Sequence, residues 1–195
     1  MSGANITIYN DNAEQYSQVQ SDSDGFVSLE IPPLQTFFAV LSAEDFIPTS
    51  FTGYAGDGLF EVPEGTLYLR SEIEITDVAD QFSSCESSSL PSIDGVMRLE
   101  IPQQDPQTLP LLSKVLVQAV SSENEEIDPC YAGESNVEEG TDESGAFAFF
   151  NLSEGLYTIK AKLNNEQSIE MEIEYPVYLP DEGNMPMYPL FFPLP

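Results

Sequence analysis

The sequence predicts an all-β fold, from one hairpin pattern, one internal repeat and a composition rich in turn-forming residues. In the stretch 141–163, apolar side chains alternate with polar or small ones on both sides of a turn at Gly155. This is the pattern of a half-buried antiparallel hairpin. Fifteen Pro and twelve Gly favour many short strands. The longest helical candidate, Pro110–Ser121, is better interpreted as a buried strand preceded by an irregular segment.

The hairpin pattern occurs a second time near the start of the chain, at an offset of 120 residues. The aligned pairs are Gly25 with Gly145, Val27 with Phe147, Leu29 with Phe149 and Phe37 with Tyr157. A divergent repeat of this kind predicts two related domains. We place them at 1–76 and 92–177, with a Ser-rich linker at 77–91 and an apolar, Pro-rich tail at 178–195.

Alternation and turn residues predict the individual strands of both domains. In the first domain they are Ala4–Tyr9, Gln15–Gln20, Phe26–Ile31, Thr36–Ala43, Gly58–Val62 and Thr66–Ile75. In the second they are Ile93–Ile101, Lys114–Ser121, the two arms of the hairpin and Ser168–Tyr175, with an acidic insertion at 122–140.

The motif TD-x-x-G-x-F-x-F-x-N-L-x-x-G-x-Y-x-I, read from Thr141 to Ile159, resembles the carboxypeptidase regulatory-like domains, the transthyretin-like relatives of bacterial Cna-B surface repeats. The resemblance implies two tandem transthyretin-like (Ig-like, Greek-key) β-sandwiches that are extracellular or periplasmic and have no activity of their own. The first domain starts where this family enters its second strand. It is therefore expected to lack its first strand.

The cysteines, Cys85 and Cys130, are predicted to form a disulfide, the alternative being two unrelated free thiols. A disulfide indicates an oxidising, extracellular or cell-surface compartment. No secretory signal precedes the first strand, so we expect a mature or trimmed chain. No run of eighteen apolar residues occurs, and membrane insertion is not expected.

The charge is strongly one-sided, with 34 acidic and five basic residues and a net charge of −29. Such a field repels phosphate backbones and anionic lipid, so nucleic acid is not an expected partner.

Because the carboxylates also repel one another, salt or divalent ions should raise the stability of the fold. The measurement is the melting temperature at increasing NaCl and CaCl₂. A melting temperature indifferent to both salts would contradict the prediction.

The inventory of reactive groups argues against an enzyme. The chain has no His, and it carries neither a phosphate-binding loop nor a dinucleotide fingerprint. No cofactor is expected. Calcium is the one weak alternative, at Asp22 and Asp24 or at Asp142 with the acidic loop 123–139. We favour ordinary Asx turns at these positions, because no bidentate Glu follows at loop spacing.

An isopeptide crosslink, known in Cna-B domains, is disfavoured because Arg98 stands where the resemblance requires Lys. Lys114 falls on the following strand instead.

The tail is predicted to take part in assembly. Its apolar residues are Tyr178, Met185, Met187, Tyr188, Leu190, Phe191, Phe192 and Leu194. An apolar segment on so acidic a chain is expected to be buried against another surface. It could fold back on its own chain or add a strand to the incomplete first domain of a neighbour. The expected function is a non-catalytic structural or adhesive surface protein whose partners are its own copies or another surface protein. The alternative is a ligand- or carbohydrate-binding accessory module of a larger secreted enzyme or outer-membrane receptor.

Overall fold

The computed structural model describes residues 2–56, 69–82, 85, 90, 92–99, 108–133, 135–163 and 172–192, the last six by their backbone alone. The regular secondary structure of the described chain is mostly β, as predicted. Its strands are β1 (Asn5–Tyr9), β2 (Gln15–Gln20), β3 (Gln35–Ser42), β4 (Thr49–Ala55), β5 (Ser92–Leu99), β6 (Val115–Ser121), β7 (Glu126–Ile127), β8 (Cys130–Tyr131), β9 (Ala146–Phe149), β10 (Gly155–Leu163), β11 (Glu172–Leu179) and β12 (Asn184–Phe192). One helix, α1 (Glu72–Asp80), lies between β4 and β5.

The strands form two sheets, and the larger sheet contains strands from both halves of the chain. Its order is β2-β1-β3-β4-β12-β5-β9-β8, and the order of the smaller sheet is β11-β10-β6-β7. Two separate tandem sandwiches are therefore not confirmed. Instead, the first four strands continue sideways into the strands of the second half, and β12 is the strand that connects them.

The main core fills the space between the two sheets. Ile93 and Met97 of β5 and Phe147 and Phe149 of β9 face the smaller sheet and are almost completely buried. The smaller sheet contributes the inward side chains of β6, β10 and β11, namely Val115, Val117, Ala119, Tyr157, Ile159, Ala161, Val177 and Leu179. The predicted inward faces of both hairpin arms are thus confirmed.

The hairpin motif depends on Gly145, which links the turn at Asp142 to β9. Its φ is +67°, a left-handed conformation that glycine adopts without strain. A Cβ at this position would lie 2.7 Å from the carbonyl oxygen of Met97, so the neighbouring strand leaves no room for a side chain. The glycine is required by both the turn and the close approach of β5.

The internal repeat is visible as two four-stranded units with the same strand order. β2-β1-β3-β4 in the first half corresponds to β7-β6-β10-β11 in the second. The buried side chains correspond as well. Ile6 and Ile8 face Leu41 and Ala39 in the first copy, and Val117 and Ala119 face Ala161 and Ile159 in the second.

Two strand predictions in the first half are wrong. Residues 26–31 are not in a strand, although Leu29 and Ile31 still pack on the buried face of β1 and β3. Their counterpart in the second half, β9, is held by β5. No described strand of the first half takes the place of β5, so the segment has no ladder to join. The predicted strand 66–75 and linker 77–91 are also corrected, because 72–80 is helical. The predicted strand 58–62 lies outside the described residues.

Candidate functional site

The clearest structural specialisation of the chain is the place where β12 enters the large sheet. β12 runs parallel to β5 from Asn184 to Phe192, with a break in register between Met187 and Leu190, where Pro189 supplies no backbone donor. On its other side it meets β4 at the single pair Asn184–Thr49. The backbone amide of Asn184 also donates to the carbonyl of Pro48 at 2.8 Å. The tail therefore folds back on its own chain and joins the two halves.

A buried polar network secures this junction, and we call Arg70, Ser92, Asp94 and Asn184 the junction network. Arg70 Nη1 donates to Asp94 Oδ1 at 2.7 Å and to Asn184 Oδ1 at 3.1 Å. Asn184 Nδ2 donates to Asp94 Oδ1 at 2.8 Å and to Ser92 Oγ at 3.0 Å. All four residues are at most 5% exposed. The network thus connects the segment before α1, the strand β5 and the strand β12.

The side chains of the junction network can stabilise the fold but cannot react with one another. Its cation is a guanidinium, which stays protonated and presents only donors. None of its four side chains is an amine that could attack the Asn184 carboxamide to form an isopeptide bond. The Lys114 side chain considered for such a bond is exposed. The carboxylate, the amide and the guanidinium satisfy one another, which is the condition for keeping charges in a protein interior.

A second contact between the halves lies around Tyr178, at the end of β11. Its ring packs against Tyr9 and Phe38, with ring centroids 4.7 Å and 6.1 Å away. Its hydroxyl donates to Glu154 Oε1 at 2.8 Å. Burial of the phenol, and next its hydrogen bond to a carboxylate, raise the pKa of Tyr178 far above its usual value. This tyrosine was predicted as part of the tail, and the structure places it in the smaller sheet.

The raised pKa values of the buried tyrosines predict that the fold loses stability at high pH. Burial raises the pKa of Tyr131, Tyr157, Tyr175 and Tyr178, so the fold favours the neutral phenols. The stability that these neutral phenols contribute is fully present below the unfolded tyrosine pKa of about 10. It is lost as the pH rises from that value through the raised pKa of the folded state. We expect Tyr178→Phe to raise the pH midpoint of alkaline unfolding followed by circular dichroism. Tyr54→Phe, at an exposed site, is the matched control. An unchanged midpoint in Tyr178→Phe would contradict the assignment.

The predicted disulfide is confirmed between Cys85 and Cys130, whose Cα atoms are 5.9 Å apart. It ties the segment after α1 to β8 at the edge of the large sheet. The helix begins with a capping box between Ser71 and Glu74. It packs through Val78, and through Phe82 just beyond its end, against the face of the sheet opposite the main core. A disulfide indicates a compartment outside the reducing cytoplasm.

The acidic residues considered for calcium bond to their own turns. Asp22 Oδ1 accepts from the amides of Asp24 and Phe26, both at 2.9 Å, and Asp142 Oδ1 accepts from the amide of Ser144 at 2.8 Å. These are the Asx turns favoured by the sequence. Within the described residues, no three acidic, His or Cys side chains come together in a group that could hold a metal ion.

The remaining tail residues are distributed as follows. Met185 is 2% exposed and belongs to the main core. Met187, Leu190, Phe191 and Phe192 pair with β5 through the backbone of β12, Tyr188 lies at the break in register, and Leu194 lies outside the described residues. The residues that hold the tail in place, Arg70, Asp94 and Asn184, were not predicted from the sequence. No described helix is long and apolar enough to span a bilayer.

Comparisons with known proteins identify no family. No protein-family model matches the chain, and no curated protein matches it. Among solved structures, "The Bacillus anthracis TIE protein" is matched with a TM-score of 0.33 and 12% sequence identity. The match covers all of this chain and 30% of that one. A likeness this distant defines neither the fold nor the function of the chain. What the structure itself defines is an all-β protein of two packed sheets.

Proposed function

We propose that this chain is a non-catalytic, load-bearing structural module of an extracellular or cell-surface protein. The observation that carries the proposal is the direction of two strands. β1 is antiparallel to β3, and β3 is antiparallel to β4. β4 is parallel to β12. β1 and β12 therefore point the same way in one sheet, and the amino end of β1 and the carboxyl end of β12 lie at opposite ends of it.

This arrangement suits a pull along the chain. Force applied at the amino end of β1 and the carboxyl end of β12 acts along the strands, so the ladder bonds of β1 with β2 and β3, and of β12 with β5, are loaded together. A pull across the strands would instead break such bonds one at a time. The junction network adds resistance where β12 begins, because moving Asn184 out of place separates Arg70 and Asp94 from a buried hydrogen-bond partner.

Two further observations support a structural role outside the cytoplasm. The Cys85–Cys130 bond connects the segment after α1 to β8 covalently and limits how far the second half can extend. The repeated four-stranded unit supports an origin as two copies of one unit of the transthyretin-like kind, now merged through β12. Exchange of β12 between copies would use the same contacts to form filaments, whereas here the turn 180–183 returns β12 to the sheet of its own chain.

Single-molecule pulling tests this function. Handles at Ser2 and after residue 195 load the strands lengthwise, whereas handles at Ser2 and Glu182 pull at two points on the same end of the sheet, since Glu182 lies just before β12. We expect a higher unfolding force in the first geometry, and a reduced one in Arg70→Met. Equal forces in the two geometries would overturn the load-bearing role.

A further inference from the structure

The four edges of the two sheets, as formed by the described strands, differ in how well they are protected against pairing with another chain. Three carry the usual safeguards. β7 and β8 are only two residues long, and β8 is fixed by the disulfide. β11 carries Glu172, Glu174 and Pro176. β2, with the sequence QYSQVQ, is six residues long and has no charge and no proline. Among the described edge strands, β2 therefore lacks these safeguards, although the protein has 34 acidic residues.

The outer side of β2 presents backbone groups in the right places for a ladder. The amide of Ser21 donates to the carbonyl of Ala4 at 2.9 Å, and antiparallel pairs alternate between bonded and non-bonded. Val19 and Ser17 therefore bond to β1, and the backbone groups of Gln18 and Gln20 point away from it. No described strand pairs with this side. A bulge near Tyr16 interrupts only the beginning of the ladder.

The surroundings of β2 define the partner. Acidic side chains lie at both ends of the strand, Asp11 and Glu14 before it and Asp22 and Asp24 after it, and all are exposed. Exposed aromatic rings stand nearby, with Tyr16 51% and Phe26 66% exposed. An uncharged strand with basic residues at both ends would match this pattern of ladder, ring and charge.

A second copy of the chain fits this edge poorly. An antiparallel β2–β2 pair that joins the backbone groups of Gln18 to Gln18 or to Gln20 of the other copy is centred on Gln18 or on Val19. The first register places Glu14 opposite Asp22 of the other copy, and the second places it opposite Asp24. Like charges directly opposed across strands are destabilising, and the net charge of −29 adds long-range repulsion.

We propose that the outer edge of β2 binds an extended peptide segment of a partner protein by strand addition, and that this segment has an uncharged centre and basic ends. The probe is a labelled peptide of alternating Thr and Val over six residues, the length of β2, with two Lys at each end. Binding is measured by fluorescence anisotropy with the full chain. We expect saturable binding that weakens with salt, with amide shifts in NMR spectra at Gln18 and Gln20.

Matched controls separate strand addition from simple charge attraction. N-methylation of alternate amides on one edge of the peptide removes ladder donors but keeps its charge, and should weaken binding about tenfold or more. Gln18→Lys should weaken binding similarly, whereas Gln81→Lys, the same change beyond α1, should not. Equal binding by the methylated peptide or by Gln18→Lys would overturn the proposal. So would equal binding of a Glu-ended peptide, or a dimer of the free chain that Gln18→Lys abolishes.

Discussion

Replacement of Arg70 by Met should lower the free energy of unfolding by roughly 3–5 kcal/mol, the largest loss we expect from a single substitution. The change removes the buried cation that faces Asp94, whose side chain is almost fully enclosed. Among the described side chains, the carboxylate would then keep only the side-chain amide of Asn184 as a hydrogen-bond donor. Urea unfolding followed by far-ultraviolet circular dichroism measures the loss, since the chain has no Trp.

The double variant Arg70→Met with Asp94→Leu is the control for this prediction. It removes both charges and replaces them with apolar side chains, which is often neutral in a buried pair. We expect stability within about 1 kcal/mol of the original protein, because the cost of the single variant lies in the unbalanced charge. If the double variant loses as much as the single one, packing rather than charge pairing determines the role of Arg70.

The sequence predicts local strands well where one face is buried and the other is wet. The arm Gly155–Leu163 alternates without interruption, and the structure shows Tyr157, Ile159 and Ala161 buried on one face. Such a pattern depends only on neighbours along the chain. The disulfide is equally predictable, because two cysteines allow only one pairing. These features are encoded locally, and the structure confirms them.

The helix was missed because its first turn imitates a strand. Glu72-Ile73-Glu74-Ile75 alternates with period two, but only Ile75 is buried and Ile73 is 74% exposed. The capping box of Ser71 and Glu74 was present as a competing signal. The capping box predicts the helix start correctly, because its side chains satisfy the unpaired backbone N–H groups of the first helical turn. In a strand, the same groups would bond to a neighbouring strand.

The junction network could not be derived from local patterns. Its members come from three distant segments, and only the pairing of β12 with β5 brings Asn184 to Asp94. A partial signal existed. Arg70 is one of five basic residues, and Asp94 stands between the apolar residues Ile93 and Val96, next to a glycine. A lone cation and a misplaced acid in so acidic a chain are candidates for a buried pair, but the sequence does not give their separation in space.

Removal of the disulfide should cost about 4 kcal/mol of stability. The bond closes a loop whose ends are 45 residues apart, and the chain-entropy model assigns this value to the freedom that the unfolded chain regains. The variant is Cys85→Ser with Cys130→Ser, measured by urea unfolding. Removal should also loosen the local packing of α1 and β8, because the bond joins the segment after the helix to a strand of only two residues. Hydrogen exchange should therefore become faster in both elements.

Reductant provides the control for the disulfide prediction. Dithiothreitol should destabilise the original protein by about the same amount as the double substitution and should leave the serine variant unchanged, because only the former has a bond to break. The result also bears on the load-bearing role. While the bond is present, residues between Cys85 and Cys130 are shielded from a lengthwise pull, so reduction should increase the extension gained on unfolding. A protein whose stability and extension are both unaffected by reductant would not use this bond as a structural tie.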